Sequence, residues 1–270
     1  MALGAWIVVQ ARDVRAGAAT RQSAASLAEA LPSRLAPAPS RPTEPAAGGG
    51  AGAVSTVRGG GAPTPAVTSS HPPAPNRDLG EIRRRLLENQ AGTYIGDILS
   101  ERDSNIARWP DRTSSPLRVW IQSPAALPDW NPEDIAQVRD AFTTWVSAGA
   151  PVPFTFVMDS SGADVHVTWV DHFDEQISGK TMWARDDNWW IVDANIAIAL
   201  HHNHGEPLDA SAVRAIALHE VGHLLGLDHC ADTTNIMTPR VRIRDLSPAD
   251  KATMRLVYAL PPGSVREAMR

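Results

Sequence analysis

The second half of this chain is predicted to fold as an α+β domain with a mixed, twisted sheet, on three observations. A run of alternating apolar and polar residues opens it near Leu117, a long capped helix follows, and four further strand-like runs lead into a helix that carries histidines. Eight of the nine tryptophans lie between Trp109 and Trp190, which places the apolar core in the same stretch. A segment of that size is ample for one domain.

The elements follow in order. PLRVWIQ sets Leu117, Val119 and Ile121 against Arg118, Trp120 and Gln122, the period of a half-buried strand. In NPEDIAQVRDAFTTWVSAG, Asn131 suits the N-cap, Pro132 the first helical position, and Glu133 and Asp134 the positive helix end. Ile135, Val138, Phe142 and Trp145 then form one apolar stripe, and Gly149 closes the helix. PFTFVMD, ADVHVTWV, GKTMWAR and WWIVDANIAIAL read as strands, with GKTMWAR at a sheet edge. A last helix opens at Ser247-Pro248, with Asp250 in the capping-box position.

The first half reads differently. Residues 32–75 hold ten prolines and no aromatic residue. Such a stretch buries too little apolar surface to offset its ordering entropy, so residues 12–76 are expected to be an extended tether. Residues 1–11 form an apolar N-terminus, too short to span a bilayer, that resembles a truncated signal or anchor with a small-residue cleavage site at Val9-Gln10-Ala11. An exported protein, secreted or in the cell envelope, is the expectation, with membrane contact only through that segment. Residues 77–110 look helical in two pieces, LGEIRRRLLENQ with Leu79, Ile82 and Leu86 on one face and DILSERDSNIARW ended by Pro110. They are expected to form a prosegment or brace, so that a chain beginning near Ala107 folds. The catalytic domain is expected at residues 111–263, with 264–270 as a tail. The formal net charge is −5 and no basic stripe is visible, which argues against a nucleic-acid partner. The single cysteine, Cys230, excludes an internal disulfide.

The chemistry lies in AIALHEVGHLLGLDHCADTTNIMTP, residues 215–239. His219 and His223 are four apart, so on a helix they project from one face, as two imidazoles on one zinc ion require. Glu220 stands beside the first ligand, where it can reach a zinc-held water without ligating the metal. Gly226 lets the chain leave the helix in a left-handed turn and bring His229 round as third ligand. Three protein ligands leave a position open, the catalytic rather than the structural pattern.

His219-Glu220-x-x-His223-x-x-Gly226-x-x-His229 resembles the metzincin signature. Met237, in Asn235-Ile236-Met237-Thr238-Pro239, resembles the Met-turn of that clan. The spacing from His229 to Met237 and the ending LSPADKATMRLVYAL are most similar to the matrixins. The resemblance covers residues 115–261. It implies a zincin-like catalytic domain and a zinc-dependent endopeptidase, with Glu220 as general base and acid. It also implies a peptide or protein substrate lying antiparallel to the edge strand at residues 179–185, which makes Gly179, Met182, Trp183 and Ala184 the cleft candidates. Cys230 departs from the small hydroxyl residue that matrixins carry there. A cysteine-switch latency cannot operate from the N-terminal third, which has no cysteine, and no counterpart of the family's structural zinc site is visible.

Other residues carry weaker signals. The loop His201-His202-Asn203-His204 reads as a second metal site or a solvated loop, and Cys230 as a metal-proximal thiol or a small half-buried residue. Asp171, Asp174, Glu175, Asp186 and Asp187 lie in loops of the kind where matrixins hold calcium, so Ca²⁺ is a second candidate ion. Tyr94-Ile95-Gly96-Asp97 is similar to the motif by which astacin prosegments set an aspartate on zinc. The plainer reading makes Asp97 the cap of a helix starting at Ile98. A monomer is expected. The alternative function is a catalytically weak, zinc-bearing module that holds a peptide without cutting it, against which the intact Glu220 argues.

Overall fold

A computed structural model describes residues 5–13, 75 and 77–270 of the chain. Apart from Arg12, Asp13 and Pro75, the expected tether lies outside the described residues, as do residues 1–4 of the apolar N-terminus.

The central layer is a mixed sheet. Its strands are β1 (Ala5–Asp13), β3 (Leu117–Ile121), β4 (Phe154–Val157), β5 (Val165–Val170), β6 (Ile177–Arg185), β7 (Ile191–Ala199) and β8 (Arg240–Val241). Their spatial order is β4-β3-β5-β7-β6-β1-β8. From β4 to β7 the pairs are parallel, β6 runs antiparallel to β7, and β1 runs parallel to β6. A separate ribbon pairs β2 (Asn105–Ile106) with β9 (Gly263–Ser264). Leu117, Val119 and Ile121 are buried as their alternation predicts.

Among the described residues five helices complete the domain: α1 (Leu79–Asn89), α2 (Ile95–Glu101), α3 (Pro132–Ser147), α4 (Ala210–Leu224) and α5 (Pro248–Ala259). The predicted Asn131 cap and Ser247 capping box form, and the Asn131 cap closes as a box too. The Asn131 side chain accepts from the Glu133 N–H while Asp134 accepts from the Asn131 N–H, and Ser247 and Asp250 do the same for α5. Val138, Phe142 and Trp145 carry the buried stripe of α3, with Ile135 half-buried beside it. Helices α3 and α4 pack together, and α4 lies against β6 and β7. The Trp145 indole N–H donates to the Leu218 carbonyl at 2.8 Å, fixing the two helices in register.

Residues 77–110 pack as an integral part of this body. Ile82, Leu86, Tyr94, Ile95, Ile98 and Leu99 join the core, whereas Leu79, expected on the same face, is exposed. Helix α1 lies against α5 and the C-terminal 3₁₀ turn at Arg266–Met269, and Val265 is fully buried, so the expected tail is packed as well. The second helix differs from its sequence reading at both ends. It begins at Ile95 rather than Ile98 and stops at Glu101, well before Pro110. Asp103 and Ser104 then take positive φ, which ends the helix and turns the chain into β2.

Ile98, fully buried, tests whether this brace belongs to the cooperative unit. Ile98→Ala should destabilise the whole domain by about 2–5 kcal/mol, read as one shifted urea transition. An unchanged midpoint would mean that residues 77–110 fold apart from the domain.

Candidate metal centre

Helix α4 is capped by Asp209, whose carboxylate accepts from the Ala212 N–H at 2.7 Å. From Ala215 to Leu224 every side chain is buried, including His219, Glu220 and His223. The helix ends at a glycine. Gly226 has φ +93°, its N–H donates to the His223 carbonyl, and the Leu227 N–H donates to the Gly222 carbonyl. This is a Schellman closure, which only a residue without Cβ enters at no steric cost. It also brings the backbone against the Ala107 carbonyl, which would collide with any Cβ at position 226.

The turn delivers His229 to the two helical histidines. One nitrogen from each of His219, His223 and His229 lies within 4.8 Å of the others. The Nδ1 atoms of the first two face carbonyl oxygens, Ile236 at 2.7 Å and Leu227 at 3.1 Å. A carbonyl only accepts, so both Nδ1 atoms carry the proton and both Nε2 atoms present lone pairs. Those Nε2 atoms stand 2.8 Å apart, and His229 Nε2 is buried with no hydrogen-bond partner. Burial, with His229 nearby, holds His219 down to about 3. His223 is lowered well below the usual histidine range and His229 is lowered, both chiefly by burial. Neutral imidazoles with converging lone pairs fit a bound cation, since ligands must shed their protons to bind.

Glu220 is placed beside this cluster. Thr181 donates to its Oε2 at 2.5 Å, and burial pushes the carboxyl up to about 8. Oε1 is buried without a partner and lies so close to Gly179 that any side chain there would strike it. Gly179 is therefore needed to admit the carboxylate. Met237 is fully buried beneath α4, and its sulfur occupies the space a side chain at Gly222 would need. The Cys230 thiol is buried and faces Asn235 Nδ2, burial pushes it up to about 11, and it is not among the groups close enough to share an ion with the three histidines.

Other expectations resolve differently. His201 is buried with Asp129 at 3.0 Å on Nε2 and Asp171 at 3.0 Å on Nδ1, so its two nitrogens face different carboxylates rather than one ion. Among the described residues, the three zinc-motif histidines form the one group of His, Cys, Asp or Glu close enough to hold a metal. Asp171 is paired with His172, and Asp186 accepts from the Asn188 and Trp190 N–H groups; among the described residues no three carboxylates of these acidic loops come close enough together to share an ion. Asp97 is not among the described groups close enough to share an ion with the histidines, and it is not the helix cap. Tyr94 stands at the cap position of α2, and Asp97 Oδ2 accepts from the Ala231 N–H at 3.1 Å. Of the cleft candidates, Trp183 is buried with the Arg102 guanidinium over its ring, and Met182 and Ala184 are half-buried on β6. The expected edge is not open, because β1 pairs with β6 from Ile7↔Gly179 to Asp13↔Arg185.

The matrixin family model matches residues 121–259. The chain belongs to the matrixin family. It is 30% identical over 151 residues to metalloendoproteinase 1-MMP of Arabidopsis thaliana, an alignment covering 48% of this chain and 39% of that protein. It is 27% identical over 129 residues to matrix metalloproteinase-C of Caenorhabditis elegans, covering 41% of this chain and 21% of that one. The matrixin-like part thus spans well under half the length of either relative. The solved structure of myroilysin aligns at 14% identity over 56% of this chain and 86% of that one, with a TM-score of 0.39, too low to bear on the fold. Within this matrixin, sequence spacing located the histidines, Glu220 and Met237. Thr181, which holds Glu220 from a strand 39 positions away, left no local signal.

The raised Glu220 carboxyl makes a pH test of the metal-free chain. Its pKa is about 8 folded against 4.5 as the ordinary value, so the folded state prefers the protonated form. Its contribution is complete below 4.5 and is lost as pH rises towards 8. In chelator, Glu220→Gln should therefore gain thermal stability over the parent as pH climbs from 5 to 8. A Tm difference that stays flat across that range would contradict the burial assigned to Glu220.

Proposed function

We propose that this matrixin is a zinc-dependent endopeptidase, with His219, His223 and His229 holding one catalytic zinc and Glu220 serving as general base and acid. The observation that carries the reading is the meeting of the His219 and His223 Nε2 lone pairs at 2.8 Å, beside a buried Glu220 whose Oε1 has no protein partner. When bound there, zinc supplies Lewis acidity, polarising a carbonyl and acidifying a water molecule.

The chain's own residues do the rest. Thr181 occupies one oxygen of Glu220 and leaves Oε1 as the free acceptor. As a water oxygen bonds to the scissile carbonyl carbon, Oε1 takes the proton and returns it to the amine nitrogen when the C–N bond breaks. A carboxyl held near neutral pH by burial suits both transfers, and a nearby cation shifts it towards the ionised form. His219 and His223 keep their ring orientation through the Ile236 and Leu227 carbonyls.

The proposed substrate is an extended peptide or unfolded protein segment that adds along β6 near Gly179, Met182, Trp183 and Ala184. It would compete with β1 for the backbone groups of Ile177–Arg185, so β1 must leave that edge when a peptide docks. Action outside the cytoplasm, as a monomer, belongs to the same proposal. It rests on the apolar N-terminus and the proline-rich stretch after it. Among the described residues no helix is long and apolar enough to cross a membrane.

Two variants test the assignment. The purified chain should carry one zinc and cleave quenched peptides until a chelator is added, and His223→Ala should lose metal and cleavage together. Glu220→Gln should keep zinc and lose cleavage by about 10²–10⁴-fold. Full zinc in the first variant, or near-normal turnover in the second, would reject the roles given to these residues.

A further inference from the structure

We infer that Arg102 is a positioning residue of the metal centre, holding the loop at residues 226–228 so that His229 completes the ligand set. This rests on the reading of the three histidines as a metal site. The helix itself places His219 and His223, one turn apart on a capped, buried element. His229 stands on a loop beyond the Gly226 turn, and a loop ligand keeps its geometry only if the surrounding groups hold it.

Arg102 directs all three of its guanidinium nitrogens at that loop. Nη1 donates to the Gly226 carbonyl at 2.8 Å, Nη2 to the Leu227 carbonyl at 2.9 Å, and Nε to Asp228 Oδ2 at 2.8 Å. Two of these acceptors lead directly to ligands. The Leu227 carbonyl is the one that also receives His223 Nδ1–H, and Asp228 Oδ1 receives the His229 N–H at 2.9 Å. Arg102 therefore sets the loop in register with the helical ligand on one side and with His229 on the other. The three acceptors are met by three separate guanidinium nitrogens, whereas the donors of a lysine all leave one nitrogen and cannot span them.

The anchor itself is held. Arg102 closes α2, with its N–H on the Ile98 carbonyl, and its guanidinium lies over the Trp183 ring of β6, 5.2 Å from the ring centre. Asp97 of the same helix binds the Ala231 N–H on the far side of His229. Tyr94, at the start of α2, donates to Asp250, which accepts the Ile236 N–H, and the Ile236 carbonyl receives His219 Nδ1–H. The Arg102 side chain is 8% exposed and Asp228 9%. Burying a charged pair is costly, and apolar residues of that shape would pack the same space without it. The ion pair is therefore explained by what it positions.

The test measures zinc affinity, by competition with a chromophoric chelator, on the full-length chain and its variants, with the metal-free Tm recorded in parallel. Arg102→Met should weaken zinc by about ten- to a hundredfold, the range for residues that orient ligands. Arg102→Lys should fall between, because it keeps the charge against Asp228 but not the fork. In a His229→Ala background the further loss on Arg102→Met should shrink to about threefold or less, since the link through Asp228 then reaches no ligand and only the Leu227 carbonyl's link to His223 remains. Unchanged zinc affinity in Arg102→Met, with or without a lower Tm, overturns the inference. So does an equal loss in the His229→Ala background. If Arg102→Met does not fold, the lysine variant decides alone, and parental affinity there overturns it. Failure of the parent chain to bind zinc would instead reject the metal site itself.

Discussion

The His219 and His223 Nε2 atoms stand 2.8 Å apart in the protein interior, each with its proton committed to the opposite ring nitrogen. Bare lone pairs at that distance repel, and protonation is opposed by full burial of both rings. A cation held by these histidines would turn the repulsion into coordination. Most of the domain can be understood as what keeps those nitrogens where they are. A buried helix must carry them, a glycine must end it at the right residue, and a loop must return the third histidine.

Gly226 of the motif ends the helix, and residues far from the motif hold the helix and the loop in place. Helix α4 is fixed by two indole N–H groups, Trp145 on the Leu218 carbonyl and Trp109 on the Leu224 carbonyl, both fully buried. The second also satisfies a carbonyl in the last turn, which would otherwise be left unpaired away from water. Asp250 accepts from Tyr94 Oη and from the Ile236 and Ser247 N–H groups, so one buried carboxylate ties the brace, the Met-turn and α5 together. These contacts make residues 77–110 part of the frame around the ligands, through Tyr94, Asp97, Arg102 and Trp109.

What the sequence made legible is what local spacing encodes. The i, i+4 histidines, the glycine that reverses the chain and the Asn131 and Ser247 caps all act within a few positions, and the structure places them as expected. The pairings that escaped notice act across the chain. Thr181 and Glu220 are 39 positions apart, Arg102 and Asp228 126, and Tyr94 and Asp250 156. No periodicity links such pairs: the packing of α4 on β6 brings the first together, and the packing of α2 against the C-terminal half brings the other two. Asp97 shows the same limit from the other side. Its type suited a helix cap, but Tyr94 begins the helix and the carboxylate is taken by the Ala231 N–H. The edge strand was recognised as a strand, yet its free side is paired with β1, a segment whose composition suggested an export signal.

X-ray absorption at the zinc edge on the full-length protein tests the central claim most directly, because it reports the ligand atoms without relying on turnover. The account predicts three nitrogen neighbours at about 2.0–2.1 Å with the multiple scattering of imidazole rings, one further light atom, and no sulfur. Cys230, outside the cluster, should contribute nothing. A sulfur neighbour at about 2.3 Å, or a six-oxygen shell without imidazole scattering, would contradict it.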